Sequence, residues 1–260
     1  GCVRDILMGR RPNDFDIASS AAPEDIMKIF KKTKGTGLRY GTVTVFYGKT
    51  KAEVTSFRSD GKYSDSRRPD RVRFVSGLRE DLSRRDFTVN AMAMDKEGAL
   101  TDIFDGRGDI ERKMLRCVGT AEDRFSEDAL RMLRAVRFSA QLGFEIGADE
   151  VRAIGKTALR AADLSAERVR DEILKTILSD RPEKAALFIE YGLIKKYVPY
   201  RATTDFTLLK RVKSEREHRL AGFAALFSKA GCESREILDK LRFSKAEAAL
   251  CANAGCLAAR

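Results

Sequence analysis

The sequence contains a single histidine, His218, among its 260 residues. One imidazole excludes histidine-rich metal sites and leaves one candidate base for any Ser-His-Asp or Cys-His scheme. His218 itself lies in the charged run 213–219, for which a solvated helix face is the better interpretation. We therefore expect any chemistry in this chain to depend on carboxylates, arginines and a metal ion.

Cysteine motifs and long hydrophobic runs are also missing. The five cysteines form no C-x-x-C motif and their number is odd, which is typical of reduced thiols in a cytosolic protein. Lysine or arginine interrupts every hydrophobic stretch before it reaches the roughly 18 residues that a membrane helix requires. The sequence predicts a cytoplasmic protein with no membrane segment.

Positive charge, by contrast, is in excess. The chain has 50 Lys and Arg against 39 Asp and Glu, a net charge of +11, so a polyanion is the first partner to consider. Hydrophobic residues make up 43%, which is too many for a disordered chain. Gly1 in place of Met, and a final segment without a helix-ending signal, predict that the natural sequence continues at both ends.

The pattern up to about residue 113 mixes strands and helices. Residues 43–47 and 53–57 are β-branched runs that predict adjacent strands, and 14–17 alternates polar and apolar residues as a half-buried strand does. Apolar residues in 23–32 recur at helical spacing, with Pro23 suited to the first helical position. We expect an α+β domain built on one mixed sheet.

After residue 113 the apolar spacing is helical, over 126–142, 165–178, 182–191, 205–229 and 234–258. Gly143 and Gly192 stand where helices of this kind end. We expect an all-α extension. The predicted domains are a head at 1–113, a helical neck at 114–180 and a helical body at 181–260.

Asp14 and Asp16 are two residues apart in the predicted strand, so their side chains share one face while Phe15 and Ile17 point into the core. Two adjacent carboxylates repel unless a cation lies between them, and hard oxygen donors suit Mg²⁺. A lone D-x-D is more often a solvated turn with two caps. Glu53 on a neighbouring strand adds a third acid, and three acids are what two-metal nucleotidyl transfer requires.

Two further motifs have weaker chemical signals. Gly1 opens a helical turn that includes Arg4, and such a helix start can bind phosphate. In 82–91, helical spacing places Asp86 and Asn90 on one face. The spacing supports two interpretations of that face equally. One is a capped helix with an i,i+4 hydrogen bond, and the other is a site in which an arginine holds a triphosphate and the Asp and Asn hold a ribose.

The helix predicted from Ser126, its expected cap, displays Arg131, Arg134 and Arg137 at three-residue intervals. A solvated face is the usual explanation for such a stripe. Asp128, however, offers a hydrogen-bond acceptor, and Arg131 offers hydrogen-bond donors next to it. This pair matches the amino group and ring nitrogen that cytosine and adenine share, so the helix is a candidate protein template for C and A.

Several motifs occur in a fixed order along the chain, at 1–5, 14–16, 40–45, 53–58, 84–90 and 124–131. In this order they resemble the bacterial class II tRNA nucleotidyltransferases, the CCA-adding enzymes that are grouped with bacterial poly(A) polymerases. The resemblance extends to about residue 178. It implies an α+β nucleotidyltransferase head followed by an all-α neck and body, and template-independent addition of CMP and AMP, from CTP and ATP, to the 3′ end of tRNA.

The resemblance also implies residue roles. Asp14 and Asp16 match the metal-binding pair, which would hold Mg²⁺, and Glu53 matches the third catalytic acid. The triphosphate contacts correspond to Gly1, Arg4 and Arg85, and the ribose-facing motif contains Asp86 and Asn90. The residues that match the base-reading neck helix are Asp128, Arg131, Arg134 and Arg137. Arg168 belongs to the next neck motif with a supporting role, although its spacing from Glu172 alone favours a structural salt bridge.

Alternatives remain within and outside this family. A poly(A) polymerase or an A-adding enzyme has the same head, and the run 40–45 favours the CCA-adding branch. The arginine-rich residues 58–73, predicted to form a loop, argue against an enzyme that adds only CC. The alternative of a different class is a non-catalytic basic RNA-binding module, against which the three acids and the pair Asp128 and Arg131 argue.

Overall fold

The chain divides into two compact units, Gly1–Arg124 and Phe125–Arg260, in a computed structural model that describes residues 1–48, 50–61, 72–198, 205–229, 234–249 and 251. The first unit contains strands and helices, and the described residues of the second form helices and one two-residue strand. The predicted fold class is therefore confirmed. The predicted domain limits at 113 and 180 stay predictions.

A four-stranded mixed sheet forms the centre of the first unit, in the order β1-β4-β3-β2. Its strands are β1 (Asp16–Ser19), β2 (Thr33–Gly37), β3 (Thr42–Tyr47) and β4 (Thr50–Ser56). β1 runs parallel to β4, whereas the other neighbours pair antiparallel. The strands predicted at 43–47 and 53–57 are confirmed as the hairpin of β3 and β4.

Shorter strands complete the first unit. They are β5 (Arg58–Asp60) paired with β6 (Val72–Phe74), β7 (Met92–Met94) paired with β8 (Leu100–Asp102), and β9 (Met114–Leu115). The loop predicted over 58–73 therefore has paired strands at its two ends. Its residues 62–71 lie outside the described part of the chain.

The helices of the first unit are short, and the last of them crosses the boundary between the units. They are α1 (Cys2–Leu7), α2 (Pro23–Ile29), α3 (Leu78–Ser83), α4 (Gly106–Arg112) and α5 (Ala121–Glu127). The helix predicted over 23–32 is confirmed as α2. The prediction that residues 82–91 are helical is wrong. α3 ends at Ser83, and Phe87 is extended because it forms a β-bridge with Cys117 before the single 3-10 turn Thr88–Asn90.

The core under the sheet is formed by α2 and the central strands. Ile26 packs on Val43, Val45 and Val54, all of them at most 6% exposed. These side chains pack α2 against β3 and β4. Each aliphatic side chain that is fully buried contributes about 1.5–3 kcal/mol to the stability of the fold.

The outer strand β1 departs from its predicted packing. Phe15 and Ile17 were expected in the core, and they are 59% and 47% exposed. Period-two alternation identifies two faces of a strand but does not say whether another element covers one of them. The strand predicted at 14–17 is also displaced, because β1 begins at Asp16 and leaves Asp14 and Phe15 just before it.

The second unit is helical in its described part except for the two-residue strand β10 (Glu145–Ile146). Its helices are α6 (Leu130–Leu142), α7 (Ala148–Thr157), α8 (Ala166–Ile177), α9 (Ala186–Glu190), α10 (Arg216–Lys229) and α11 (Ser234–Lys240). The helix predicted from Ser165 is confirmed as α8. Gly143 ends α6 with φ 74°, and a side chain there would collide with Arg181.

The start of α6 differs from the prediction. Ser126 does not cap this helix, because it lies inside α5. The chain leaves the helical path between α5 and α6, and Asp128 Oδ1 accepts the Leu130 N–H at 3.0 Å. A backbone N–H that has no partner at a helix start is thereby satisfied by Asp128 instead.

Apolar stripes hold the second unit together. α6 and α8 bury Leu133, Val136, Val169 and Ile173 completely. Further along the chain, Phe206, Phe223 and Phe227 meet edge to face, with 4.9 Å between the ring centroids of the last two. Among the described residues, no helix combines the length and apolar character that crossing a membrane requires.

Asp109 of the first unit is a completely buried carboxylate, with none of its surface exposed. It accepts hydrogen bonds from Thr88 Oγ1 at 2.6 Å, Arg112 Nη2 at 2.7 Å and Arg116 Nε at 2.8 Å. Burial by itself raises the pKa of Asp109, but the hydrogen bonds from Arg116, Thr88 and Arg112 outweigh it and hold the pKa below its usual range. The charged carboxylate ties α4 to its neighbours.

We predict that Asp109→Asn lowers the free energy of unfolding by about 2 kcal/mol at pH 7, because two arginines lose a buried anionic partner. The lowered pKa makes this contribution complete above the usual pKa of an aspartate, and it is lost as the pH falls through the folded-state pKa. The difference between the proteins, measured by urea unfolding, should therefore shrink below about pH 4. Asp105→Asn, at an exposed acid that contacts the same Arg112, should change stability much less. Equal stability of Asp109→Asn and wild type at pH 7 would contradict the prediction.

Candidate nucleotide and metal site

The three predicted catalytic acids lie in or next to the strands β1 and β4. The parallel register of these strands makes Asp16 and Glu53 direct neighbours, and Asp14 lies two residues ahead of Asp16. All three are exposed. The adjacency follows from register alone, because paired residues of neighbouring strands point to the same face.

These acids present oxygen donors of the kind that a hard divalent cation prefers. Lys51 Nζ lies 3.8 Å from Glu53 Oε1, and it is the cation that the structure places beside Glu53. Within the described ranges, no three His, Cys, Asp or Glu side chains are grouped closely enough to hold a metal ion as they stand. Mutual repulsion keeps carboxylates apart unless a cation joins them. The carboxylate oxygens of these acids therefore fit a divalent cation by their chemistry. Their side chains are not close enough to one another to form a complete binding site.

A chain of hydrogen bonds links the predicted phosphate and ribose residues. Arg4 of α1, 9% exposed, donates from Nη1 to Asn90 Oδ1 at 2.5 Å and from Nη2 to Asp5 Oδ1 at 2.7 Å. Asn90 Nδ2 in turn donates to Asp86 Oδ1 at 3.1 Å. The structure thus brings Arg4, Asn90 and Asp86 together, although the segment between Asp86 and Asn90 is not a regular helix. Gly1 occupies the N-cap position of α1.

Arg85 is held by an acid that the sequence interpretation missed. Its Nη2 lies 3.0 Å from Asp81 Oδ2, and its Nη1 donates to the carbonyl oxygen of Asn90 at 3.3 Å. Asp81 is 1% exposed and also pairs with Arg84 at 2.7 Å. The signal was present in the sequence, because Arg84 and Arg85 follow Asp81 by three and four residues, the spacing of neighbours on a helix.

The pKa of Asp81 reflects this arrangement. Burial by itself raises the pKa, and the charges and hydrogen bonds of Arg84 and Arg85 reverse the effect and lower it below its usual range. Asp81 therefore stays ionised at neutral pH despite its burial.

Asp128, in the second unit, is fixed at both carboxylate oxygens. Oδ1 accepts the Leu130 N–H, and Oδ2 lies 3.3 Å from Arg168 Nη2. This contact joins the residue expected to read a base to the one expected to support it. Both side chains are less than one-fifth exposed.

The arginines of α6 have different surroundings. Arg131 Nη1 contacts Glu127 Oε2 at 2.6 Å, and Arg134 lies over the Phe138 ring at 5.2 Å from its centroid. Arg137 is 9% exposed, and its Nε lies 2.6 Å from Glu172 Oε2. The salt bridge predicted between Arg168 and Glu172 is therefore wrong in its partners, because Glu172 pairs with Arg137 on the neighbouring helix and Arg168 pairs with Asp128.

Comparison with known proteins identifies relatives of both units. Residues 1–116 match the family described as "Poly A polymerase head domain", and residues 143–203 match "Probable RNA and SrmB- binding site of polymerase A". The chain is 48% identical over 206 residues to the CCA-adding enzyme of Lactobacillus johnsonii, covering 79% of this chain and 52% of that protein. The chain belongs to the tRNA nucleotidyltransferase and poly(A) polymerase family.

Solved structures agree with this membership in the nucleotidyltransferase family. The Bacillus stearothermophilus CCA-adding enzyme in complex with CTP is similar to this chain with a TM-score of 0.82 and 39% identity, over 100% of this chain and 64% of that one. The Thermotoga maritima CCA-adding enzyme complexed with tRNA, at 20% identity and a TM-score of 0.66, shares the fold. The chain spans about half the length of the curated relatives that it matches. Nucleotidyltransferases of this family use divalent metal ions.

The buried pair of Arg137 and Glu172 offers a test of how the second unit is held together. We predict that Arg137→Met lowers the free energy of unfolding by about 3 kcal/mol, because Glu172 is left buried with a charge and without its partner. The double variant with Glu172→Met should recover most of the loss, since the pair is then replaced by apolar side chains of similar size. Urea unfolding of the four proteins of this cycle measures both effects. A double variant less stable than Arg137→Met alone would refute the interpretation.

Proposed function

We propose that this protein adds CMP and AMP, from CTP and ATP, to the 3′ end of tRNA without a nucleic-acid template, as a cytoplasmic nucleotidyltransferase. The observation that carries the proposal is the β1–β4 register that pairs Asp16 with Glu53, in a chain 48% identical to a CCA-adding enzyme. Carboxylates on adjacent strands supply the hard ligands that nucleotidyl transfer requires.

In the proposed reaction the 3′-hydroxyl oxygen of tRNA attacks the α-phosphorus of the nucleoside triphosphate. A new phosphodiester bond forms, the hydroxyl proton passes to solvent, the bond between the α-phosphorus and the oxygen that bridges it to the β-phosphorus breaks, and pyrophosphate leaves. Asp14, Asp16 and Glu53 are the residues that would hold Mg²⁺, which when bound supplies positive charge to the attacking and leaving oxygens. The side chains of this chain bind and orient the substrates.

Gly1, Arg4 and Arg85 are the proposed contacts of the triphosphate, and Asp86 and Asn90 those of the ribose. The contacts described above support these assignments, because Arg4, Asn90 and Asp86 form one hydrogen-bonded chain. Arg4 contacts Asp5 and Asn90 at the same time, so its guanidinium group is held beside the proposed ribose residues.

Base selection is assigned to α6 and to Asp128, two residues before its start. A carboxylate that accepts from an amino group, beside an arginine that donates to a ring nitrogen, selects cytosine and adenine and rejects uracil and guanine. Asp128 and Arg131 have these chemistries, and Arg134 is proposed as a further contact. Arg168, 3.3 Å from Asp128, is proposed to orient that carboxylate. Arg137 is proposed to hold α6 against α8 through Glu172, a role that suits its burial.

The basic excess of the chain suits a tRNA partner. Neutralised phosphates release counterions, so affinity for tRNA should fall steeply between about 50 and 200 mM salt. The different-class alternative, an RNA-binding module without activity, makes the same prediction for binding and differs only in turnover.

We predict that the full gene product incorporates labelled CTP and ATP into tRNA that lacks its CCA end, and that Asp16→Ala reduces incorporation by about 10³-fold or more. The loss is expected because a metal-binding carboxylate is removed from the strand pair. Glu24→Ala, an exposed acid of α2 outside the proposed site, serves as the matched control and should remain active.

Three outcomes of this assay separate the alternatives. Addition of C and A that stops after CCA supports the proposal. Repeated addition of AMP alone to any RNA identifies a poly(A) polymerase instead. Binding of tRNA with no incorporation by the wild-type protein overturns the proposal in favour of a non-catalytic module.

The base-selecting role makes a separate prediction. Asp128→Ala should lower the preference for CTP over UTP by about tenfold, because one good base contact provides about 1–3 kcal/mol of discrimination. Arg168→Ala should give a smaller change in the same direction, since it releases Asp128 without removing it. Arg152→Ala, an exposed arginine of α7, is the control. An unchanged ratio of CTP to UTP incorporation in Asp128→Ala would exclude the proposed role.

A further inference from the structure

The carboxylate of Asp81 contacts two arginine side chains and the backbone of the strand β5. Its Oδ2 holds Arg85, while its Oδ1 holds Arg84 at 2.7 Å and lies 3.3 Å from the backbone nitrogen of Arg58. Arg84 Nε in addition donates to the carbonyl oxygen of Arg58 at 3.1 Å. One oxygen of the carboxylate therefore fastens α3 to β5, and the other oxygen is left for Arg85.

The two arginines have unequal surroundings. Arg84 is anchored on Asp81 and on the strand backbone, and its side chain is 18% exposed. Arg85 is anchored on Asp81 and on the Asn90 carbonyl, and its side chain is 28% exposed. Asn90 also accepts from Arg4, so the guanidinium groups of Arg4 and Arg85 share Asn90 as a common neighbour. Arg85 is thus the one of the pair that is held beside the proposed phosphate residues.

We propose that Asp81 is a positioning residue that holds the Arg85 guanidinium in place for the triphosphate of the incoming nucleotide. The inference rests on the proposed function, in which Arg85 contacts phosphate. It goes further by assigning a role to a buried acid that itself touches no substrate.

The physical basis is the flexibility of the arginine side chain. An arginine side chain that is free to rotate loses rotamer entropy when a ligand fixes it, and a protein partner that fixes it beforehand removes that cost from binding. A single Asp81 oxygen engages only part of the guanidinium, so donors of Arg85 remain for phosphate oxygens. The negative charge of Asp81 also reduces the attraction of Arg85 for an anion, and we expect the positioning effect to be the larger of the two.

We expect Asp81→Asn to weaken equilibrium binding of CTP to the full gene product by about tenfold, equivalent to about 1.4 kcal/mol. Binding of CMP should be unchanged, since it lacks the β- and γ-phosphates. In an Arg85→Ala background, Asp81→Asn should have no further effect on CTP binding, because its influence passes through Arg85. The single variant Asp81→Asn should raise KM for CTP more than it lowers kcat.

Two controls separate positioning from general support of the fold. Arg84→Met removes the other ion pair of Asp81 and should leave CTP binding within about twofold of wild type, as should Glu80→Gln at the adjacent acid of α3. If Asp81→Asn fails to fold in a thermal melt, Asp81→Glu retains the charge and displaces the carboxylate by one methylene. It should then show a smaller but selective loss of CTP binding.

Several results would overturn the proposal. CTP binding by Asp81→Asn that equals or exceeds wild type would show that Asp81 does not help Arg85 bind phosphate. Equal losses of CTP and CMP binding, or an unchanged loss in the Arg85→Ala background, would show a structural role only. If Arg85→Ala itself binds CTP normally, the triphosphate role of Arg85 fails and the positioning role with it. Weakened binding in Arg85→Ala with normal binding in Asp81→Asn overturns positioning alone.

Discussion

Buried carboxylates that each hold arginines fix the ends of several elements in this protein. Asp81 joins α3 to β5, Asp109 anchors α4, and Glu172 of α8 holds Arg137 of α6. An ionised carboxylate that leaves water costs several kcal/mol unless it is fully paired. These acids are therefore tolerated only where arginines surround them. In a chain with more basic than acidic residues, the partners for such pairs are plentiful.

The same constraint shapes the candidate site, because its arginines are engaged by the protein before any substrate arrives. Arg4 contacts Asp5 and Asn90, Arg85 contacts Asp81, and Arg131 contacts Glu127. A partner that occupies one edge of a guanidinium leaves the remaining donors fixed in direction. The residues proposed to bind phosphate are thus preorganised, whereas Asp14 and Asp16 are exposed and Asp14 lies just before β1.

Periodicity in the sequence predicts the elements well and their environment less well. The hairpin of β3 and β4 and the helix α8 follow from the spacing of apolar residues. Phe15 and Ile17 are exposed although residues 14–17 alternate polar and apolar, since alternation does not specify a covering element. The pairing of Asp81 with Arg84 and Arg85 was predictable from their spacing, whereas its contact with the backbone of Arg58, more than twenty residues away in the sequence, was not. Adjacency of Asp16 and Glu53 was predictable, because it requires only that two strands pair in register.

The break before α6 is the most consequential feature that periodicity does not reveal. A continuous helix would present Asp128 as one member of a surface stripe, with a side chain free to rotate. In the structure Oδ1 is fixed by the Leu130 N–H and Oδ2 faces Arg168. An ionised carboxylate has about four lone-pair directions, so these two contacts leave acceptor capacity while removing rotational freedom. Selectivity between an amino group and a carbonyl on a base depends on where an acceptor points. The interrupted helix therefore supplies what a continuous one lacks, an acid whose direction is set by the backbone at a helix start.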